Sequence, residues 1–259
     1  MTEFTTSADG TRIAYEKLGS GPALVLVDGA MCYRDFGPCR SAAEHLQDRF
    51  TVYFYDRRGR GESGDTAPYA PEREYEDLAA VIAATGETPY VLGYSSGGGL
   101  ALQAAASGVP MRKLASYDAP YVGKNPRVPD YQTTLDAMIA EDDRAGALGF
   151  FMVKMVGGPA FLPLMMRLMP KVFRQLKAVA HTLPYDARVM GDFEVPTATL
   201  GRITVPTLVM GGGKAKPNMT AAVAGVAAAI PGSQHRTLPG QTHQVKDEAI
   251  VPELVSFFA

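Results

Sequence analysis

Gly93-Tyr94-Ser95-Ser96-Gly97 is a G-x-S-x-G sequence between an apolar run, Tyr90–Tyr94, and a small-residue, helix-compatible stretch, Gly97–Ser107. In that setting a serine is carried on a sharp strand-to-helix turn. Its hydroxyl stands above the sheet, and the flanking glycines remove side chains that would strike neighbouring backbone. Ser95 is the candidate nucleophile; Ser96 competes for the role but stands where a backbone N–H donor is wanted. Without the strand before it and the helix after it, the same five residues would be a plain turn. Gly97–Gly99 is read as helix packing rather than a phosphate loop, because no lysine follows at the required spacing.

A serine hydroxyl is a weak nucleophile at neutral pH and needs a base within hydrogen-bond reach. The chain has four histidines. His45 falls in a predicted helix, His181 in a long helical stretch and His235 in a strand of alternating character, so structural or solvated roles suit all three. His243 differs: it follows the predicted strand Gln234–Leu238 by a short loop, Pro239-Gly240-Gln241-Thr242, and precedes the last predicted helix. From there it can lean over the carboxyl edge of a sheet as a general base.

The elements that must bring these groups together alternate between short β-branched or aromatic runs and longer helical patterns, which predicts an α/β fold with a mostly parallel sheet. Phe4–Ser7 and Arg12–Leu18 flank Asp9-Gly10 and predict an edge hairpin. Ala23–Val27, Val52–Tyr55, Tyr90–Tyr94 and Lys113–Tyr117 predict strands, the first two continuous apolar runs as in strands covered on both faces. Phe36–Leu46 and Pro71–Ala84 predict helices, the second opening on proline and acidic residues and ending before Gly86. A later series predicts strand Thr207–Met210, helix Met219–Ile230, strand Gln234–Leu238 and helix Glu248–Phe258.

Residues 120–191 interrupt the rhythm with helical pattern and no convincing strand. They predict a helical cap inserted into a core formed by residues 1–119 and 192–259. Within the cap, Arg167, Lys171, Arg174 and Lys177 lie on one side of an amphipathic pattern, with Leu164, Leu168, Val172, Leu176 and Val179 on the other and a kink or restart at Pro170. The basic stripe is read as a solvated face.

Composition bounds the function. The chain has 259 residues with 46% hydrophobic and 20% charged side chains, the profile of a globular chain able to bury a substantial core. A balance of 25 basic against 27 acidic residues supplies no field to gather nucleic acid, so no nucleic-acid partner is expected. Cys32 and Cys39 cannot form a disulfide framework and lack the partners of a zinc site. The N-terminus has no secretory pattern, and the apolar stretch from Leu148 to Met169 is broken by Lys154, Gly157, Gly158, Pro159 and Pro163. A cytoplasmic protein without stable membrane insertion follows as the expectation; the oligomeric state is left open.

With the Ser95 turn and the late His243, the segment Asp56-Arg57-Arg58-Gly59-Arg60-Gly61-Glu62-Ser63 completes a resemblance covering nearly the whole chain. The sequence resembles an α/β-hydrolase-fold enzyme of the small serine-esterase and cofactor-free haloperoxidase kind. The resemblance implies an eight-stranded sheet, a helical cap after the sixth strand, a catalytic triad and no cofactor. It also implies that the backbone N–H groups of Ala30 and Ser96 form an oxyanion hole, each donor contributing roughly 3–4 kcal/mol. The Asp56 segment is expected to brace loops.

Two departures from the family pattern matter. Asp28-Gly29-Ala30-Met31 stands where the family commonly carries His-Gly, and Asp28 is expected to turn away from the oxyanion as a hydrogen-bond acceptor within its loop. The acid usually found after the seventh strand is missing, replaced by Gly211-Gly212-Gly213-Lys214-Ala215-Lys216. Asp118, at the end of the predicted sixth strand, is the substitute that keeps the chain order nucleophile, acid, base. Its alternative role is capping the start of the insertion, while Asp247 is expected to cap the last helix.

Met152, Met155, Met165, Met166 and Met169 accompany Phe150, Phe151, Phe161 and Leu164 in the cap. Adaptable side chains of this kind could line an apolar pocket or equally bury the cap's own core. Met31, Tyr94, Met152 and Met155 are the candidate contacts for a small apolar substrate. The expected function is a serine hydrolase acting on an ester, lactone or thioester. The alternatives are a cyclase, lyase or perhydrolase on the same scaffold, or a ligand-binding protein with a weakened triad.

Overall fold

The computed structural model describes residues 1–124, 128 and 130–259. Its eight strands are β1 (Glu3–Thr6), β2 (Arg12–Leu18), β3 (Ala23–Val27), β4 (Thr51–Tyr55), β5 (Tyr90–Tyr94), β6 (Lys113–Tyr117), β7 (Thr207–Gly212) and β8 (Gln234–Leu238). They form one sheet in the order β1-β2-β4-β3-β5-β6-β7-β8. The pairs β1–β2 and β2–β4 are antiparallel, and every later pairing is parallel. The expected edge hairpin and the eight-stranded, mostly parallel sheet are both present.

The two-residue period of a strand decides which side chain enters which core layer. In β3, Val25 and Val27 join a cluster with Leu78, Val81 and Leu100, while Leu24 and Leu26 join the opposite cluster with Leu46, Leu254 and Phe258. Helices Pro71–Thr85 and Ser96–Ala106 cover the first face; Pro38–Leu46 and Asp247–Phe258 cover the second. Gly86, in the left-handed conformation at φ 77°, closes the helix Pro71–Thr85 and returns its N–H to the Ala83 carbonyl. Asp247 is the first residue of its helix rather than its cap, and its carboxylate accepts from Ser41 Oγ at 2.5 Å.

Between β6 and β7 the regular elements among the described residues are the helices Tyr131–Ala140, Arg144–Phe150, Leu162–Arg167, Pro170–Val179, Leu183–Met190 and Thr197–Leu200, with a π-helical turn at Phe151–Met155 and a 3-10 turn at Ala180–Thr182. The amphipathic pattern restarts at Pro170, and Arg167, Lys171, Arg174 and Lys177 are exposed. Leu176 and Val179 are buried as expected, but Leu164 and Leu168 are exposed. The chain turns between Arg167 and Pro170, so the two segments do not share one continuous apolar stripe. No helix among the described residues is long and apolar enough to cross a membrane.

Candidate active site

The site is built at the carboxyl ends of the parallel strands. Ser95 leaves β5 at φ 53° and ψ −126° and immediately precedes the helix Ser96–Ala106. Its N–H donates to the Tyr117 carbonyl at 2.9 Å, tying the turn to the end of β6. The motif glycines are required by close approach. A Cβ on Gly93 would stand 2.4 Å from the Gly97 carbonyl oxygen, and one on Gly97 would stand 2.4 Å from the carbonyl oxygens of Val27 and Asp28.

His243 Nε2 lies 3.1 Å from Ser95 Oγ, and its Nδ1 lies 3.3 Å from Asp118 Oδ2. With Nδ1 facing a carboxylate, the proton belongs on Nδ1 and leaves Nε2 as the acceptor for the serine hydroxyl. Asp118 is fully buried, adopts φ 47° just beyond β6, and accepts from the Gly212 N–H at 3.3 Å through Oδ1. The three residues expected to act together are thus joined across 148 and 125 positions of sequence.

The glycine run Gly211–Gly213, which ends β7 and begins the loop after it, lets the histidine loop pack on bare backbone. A Cβ on Gly212 would lie 2.6 Å from the Gln241 carbonyl oxygen, so the histidine loop packs directly on that backbone. The loop is held there by Lys214 N–H donating to Gln241 O at 2.7 Å and by Tyr117 Oη donating to Thr242 O at 2.5 Å. His45 and His181 bond to backbone carbonyls within their own helical segments, and His235 is exposed on β8.

Ala30 and Ser96 line the same cavity as Ser95 and His243. Ser96 is the first residue of its helix, so its N–H has no intrahelical carbonyl to meet. Behind these two residues lies a buried ionic network that sequence reasoning attributed only to loop bracing. Arg57 makes a bidentate pair with Glu74 at 2.6 and 2.7 Å, and donates to Asp186 Oδ1 at 2.8 Å and the Asp28 carbonyl at 3.3 Å. Arg60 donates to Asp186 Oδ2 and to the Gly29 carbonyl, each at 2.7 Å. Asp186 also accepts from Ser96 Oγ at 2.8 Å.

Burial would raise the Asp186 carboxyl, but Arg60, Arg57 and the Ser96 hydroxyl outweigh it and hold the group below its usual range. No sequence motif marks Asp186; the only available signal was the run of arginines needing buried counter-charge. Asp56, by contrast, ties its own loop to the loop after β3, accepting from the N–H groups of Glu62 at 2.8 Å and Arg34 at 2.7 Å.

Asp28 is buried and does not line the cavity, consistent with a side chain turned away from the oxyanion. Its carboxyl receives the Cys39 thiol, while Oδ1 has no hydrogen-bond partner among the described residues. Burial pushes it up to about 7, against the opposing pull of Cys39, Arg60 and Arg57.

The cavity measures about 620 Å³, with Tyr131, Phe151, Met155, Met190 and Phe193 among its apolar walls. Met155 therefore stands where a substrate contact was expected, carried by the π-helical turn. Met31 and Met152 pack instead in a small cluster with Leu148, Met166 and Leu176. Tyr94 is also displaced from its expected role: strand parity sends it into the core with Leu46 and Leu254, away from the cavity. Among the described residues, no group of three His, Cys, Asp or Glu side chains is placed to hold a metal ion.

A strand-to-helix turn raising a serine beside a histidine from the far end of the chain, on a mostly parallel eight-stranded sheet, defines the α/β-hydrolase class of fold. The chain belongs to the alpha/beta hydrolase family, whose model matches residues 24–250. It is similar to a crystal structure of an alpha/beta hydrolase from Sphaerobacter thermophilus, with 49% identity, a TM-score of 0.90 and coverage of 99% of this chain and 100% of that one. An esterase from Exiguobacterium antarcticum shares the fold, with 24% identity, a TM-score of 0.74 and 99% of each chain covered. The N-formylmaleamate deformylase of Pseudomonas putida is 36% identical over 129 residues, which cover 47% of this chain and 46% of that protein. The chain spans less than half the length of the curated relatives it matches.

Proposed function

We propose that the protein is a serine hydrolase that cleaves a carboxylic ester, lactone or thioester with an apolar portion. The observation that carries this reading is the hydrogen-bonded series Ser95, His243, Asp118, with separations of 3.1 and 3.3 Å. Family membership supports hydrolytic chemistry, and the relative named as a deformylase also acts, by its name, through removal of an acyl group.

In the proposed cycle Ser95 Oγ attacks the carbonyl carbon while His243 Nε2 takes its proton. The oxyanion that forms is met by the N–H groups of Ala30 and Ser96 at the positive end of a helix. Collapse breaks the bond to the leaving group, which departs with the proton from His243. Water then attacks the acyl-enzyme, giving its proton to Nε2, and the acid is released as Ser95 recovers its hydrogen. Asp118 keeps the imidazole in the required tautomer throughout. The helices of residues 120–191, acting as a lid, would exclude water from one wall and strengthen these contacts.

The test is labelling by a fluorophosphonate together with turnover of short and medium acyl p-nitrophenyl esters. Covalent modification at Ser95 and steady p-nitrophenol release, both lost in Ser95→Ala, are expected. Labelling without ester turnover would favour a lyase, cyclase or perhydrolase reaction on the same residues. An inert Ser95 would favour a ligand-binding protein.

A further inference from the structure

Lys124, Lys154, Lys214 and Lys216 all line the cavity that holds Ser95 and His243. The one acidic side chain among its described lining residues is Asp186, whose charge is met by Arg57 and Arg60 behind the wall. The chamber therefore pairs apolar walls with a rim rich in positive charge.

Lys214 and Lys216 lie between the end of β7 and the helix Pro217–Ala229. Lys216 Nζ donates to the Val156 and Gly157 carbonyls at 3.4 and 3.2 Å, which fixes an ammonium at the seam between the β7 loop and the helical segment. An ammonium has three donors, so one remains for a ligand. Asn218 and Met219 of the first helical turn also line the cavity, adding the positive end of that helix to the same wall.

We propose that the enzyme selects acyl substrates bearing a carboxylate remote from the scissile carbonyl, held by Lys214 and Lys216 while the apolar walls take the intervening chain. The inference rests on the hydrolase reading above and specifies its substrate class. A positive cleft with low-dielectric walls also raises the local concentration of an anionic substrate, an effect that salt weakens.

The test compares kcat/KM for phenyl hydrogen adipate and phenyl methyl adipate, which differ at the far end by one negative charge. Wild-type protein is expected to prefer the half-ester by about tenfold or more, equivalent to roughly 1.4 kcal/mol. The preference should shrink in about 0.5 M salt, where the screening length falls to a few ångströms. Lys214→Gln, Lys216→Gln and the double variant should each reduce the ratio, and Lys214→Glu should invert it. Lys171→Gln, on an exposed helix away from the cavity, should keep it.

Adipate alone should bind Ser95→Ala measurably by calorimetry and lose that binding when Lys214→Gln and Lys216→Gln are added. Equal or better use of the neutral diester, a preference that survives the lysine substitutions, or no adipate binding would each overturn the proposal. If both esters are turned over equally and Ser95→Ala abolishes both, the carboxylate preference alone is wrong. If Ser95→Ala stays active, the nucleophile assignment is wrong whatever the lysines do.

Discussion

Arg60 donates from Nη1 to the carbonyl oxygen of Gly29 at 2.7 Å, gripping the backbone one residue before Ala30. Its other arm reaches Asp186, which in turn accepts from Ser96 Oγ. One buried guanidinium thus couples the loop after β3 to the turn after β5, the two backbones proposed to hold the oxyanion. Arg60→Lys preserves the charge but not the fork that makes both contacts. It is expected to lower kcat by up to about 10²-fold, as small misplacements of catalytic donors do, with KM changing far less. A split in which KM rises and kcat stays would show that Arg60 supports substrate binding rather than the placement of the oxyanion donors.

Asp186→Asn leaves Arg57 and Arg60 buried with one carboxylate fewer between them. Removing one partner of a buried ion pair costs about 3–5 kcal/mol. A large fall in the urea midpoint is expected, together with reduced labelling of Ser95 by a fluorophosphonate in the fraction that remains folded. Unchanged stability would mean that the network is not a linked unit.

Two carboxyls near the site should respond very unequally to amidation. Asp118→Asn is expected to reduce kcat by about 10⁴-fold, because the far nitrogen of His243 then faces a group that no longer selects its tautomer. Asp28→Asn should leave kcat within a few fold, since Asp28 neither touches His243 nor lines the cavity. Steady-state kinetics on a p-nitrophenyl ester measures both, and a collapse confined to Asp28→Asn would reverse the assignment.

Asp28 also predicts a pH dependence of stability. Burial raises its folded-state value from 3.8 to about 7, so between these limits the folded chain binds a proton that the unfolded chain has released. Stability from this group is fully present below about pH 4 and is lost as pH rises toward 7. Subtracting the unfolding free energy of Asp28→Asn from that of the wild type should leave a difference that falls across this window. A flat difference would show that Asp28 is ionised in the fold throughout.

Gly212→Ala tests the seat of the histidine loop. The added Cβ would fall 2.6 Å from the Gln241 carbonyl, a contact that only backbone movement relieves. Displacement of His243 should lower kcat by about 10²-fold while Ser95 remains in place. Full activity in this variant would show that the loop has room to shift without disturbing Nε2.

Much of this arrangement is written in local sequence. Gly93, Ser95 and Gly97 declare the turn because the demand they meet is steric and lies within a few residues. The strands from Ala23–Val27 to Lys113–Tyr117 are visible as apolar runs because both faces are covered, and Pro170 marks the helix restart because it lacks an N–H. Asp118 was legible only through chain order and the absence of an acid after β7.

What the tertiary structure alone decided is where side chains from distant segments meet. Tyr94 belongs to the motif yet faces the core, since strand register rather than proximity to Ser95 sets its direction. Leu164 and Leu168 share a periodic stripe with Leu176 but lose its burial when the chain turns before Pro170. Asp186 carries no local signature, and Lys214 and Lys216 look like ordinary solvated lysines until packing sets them around a cavity. Residue types record the conformations that a short stretch permits, whereas the charge balance of a buried network or a cleft depends on every segment that closes around it.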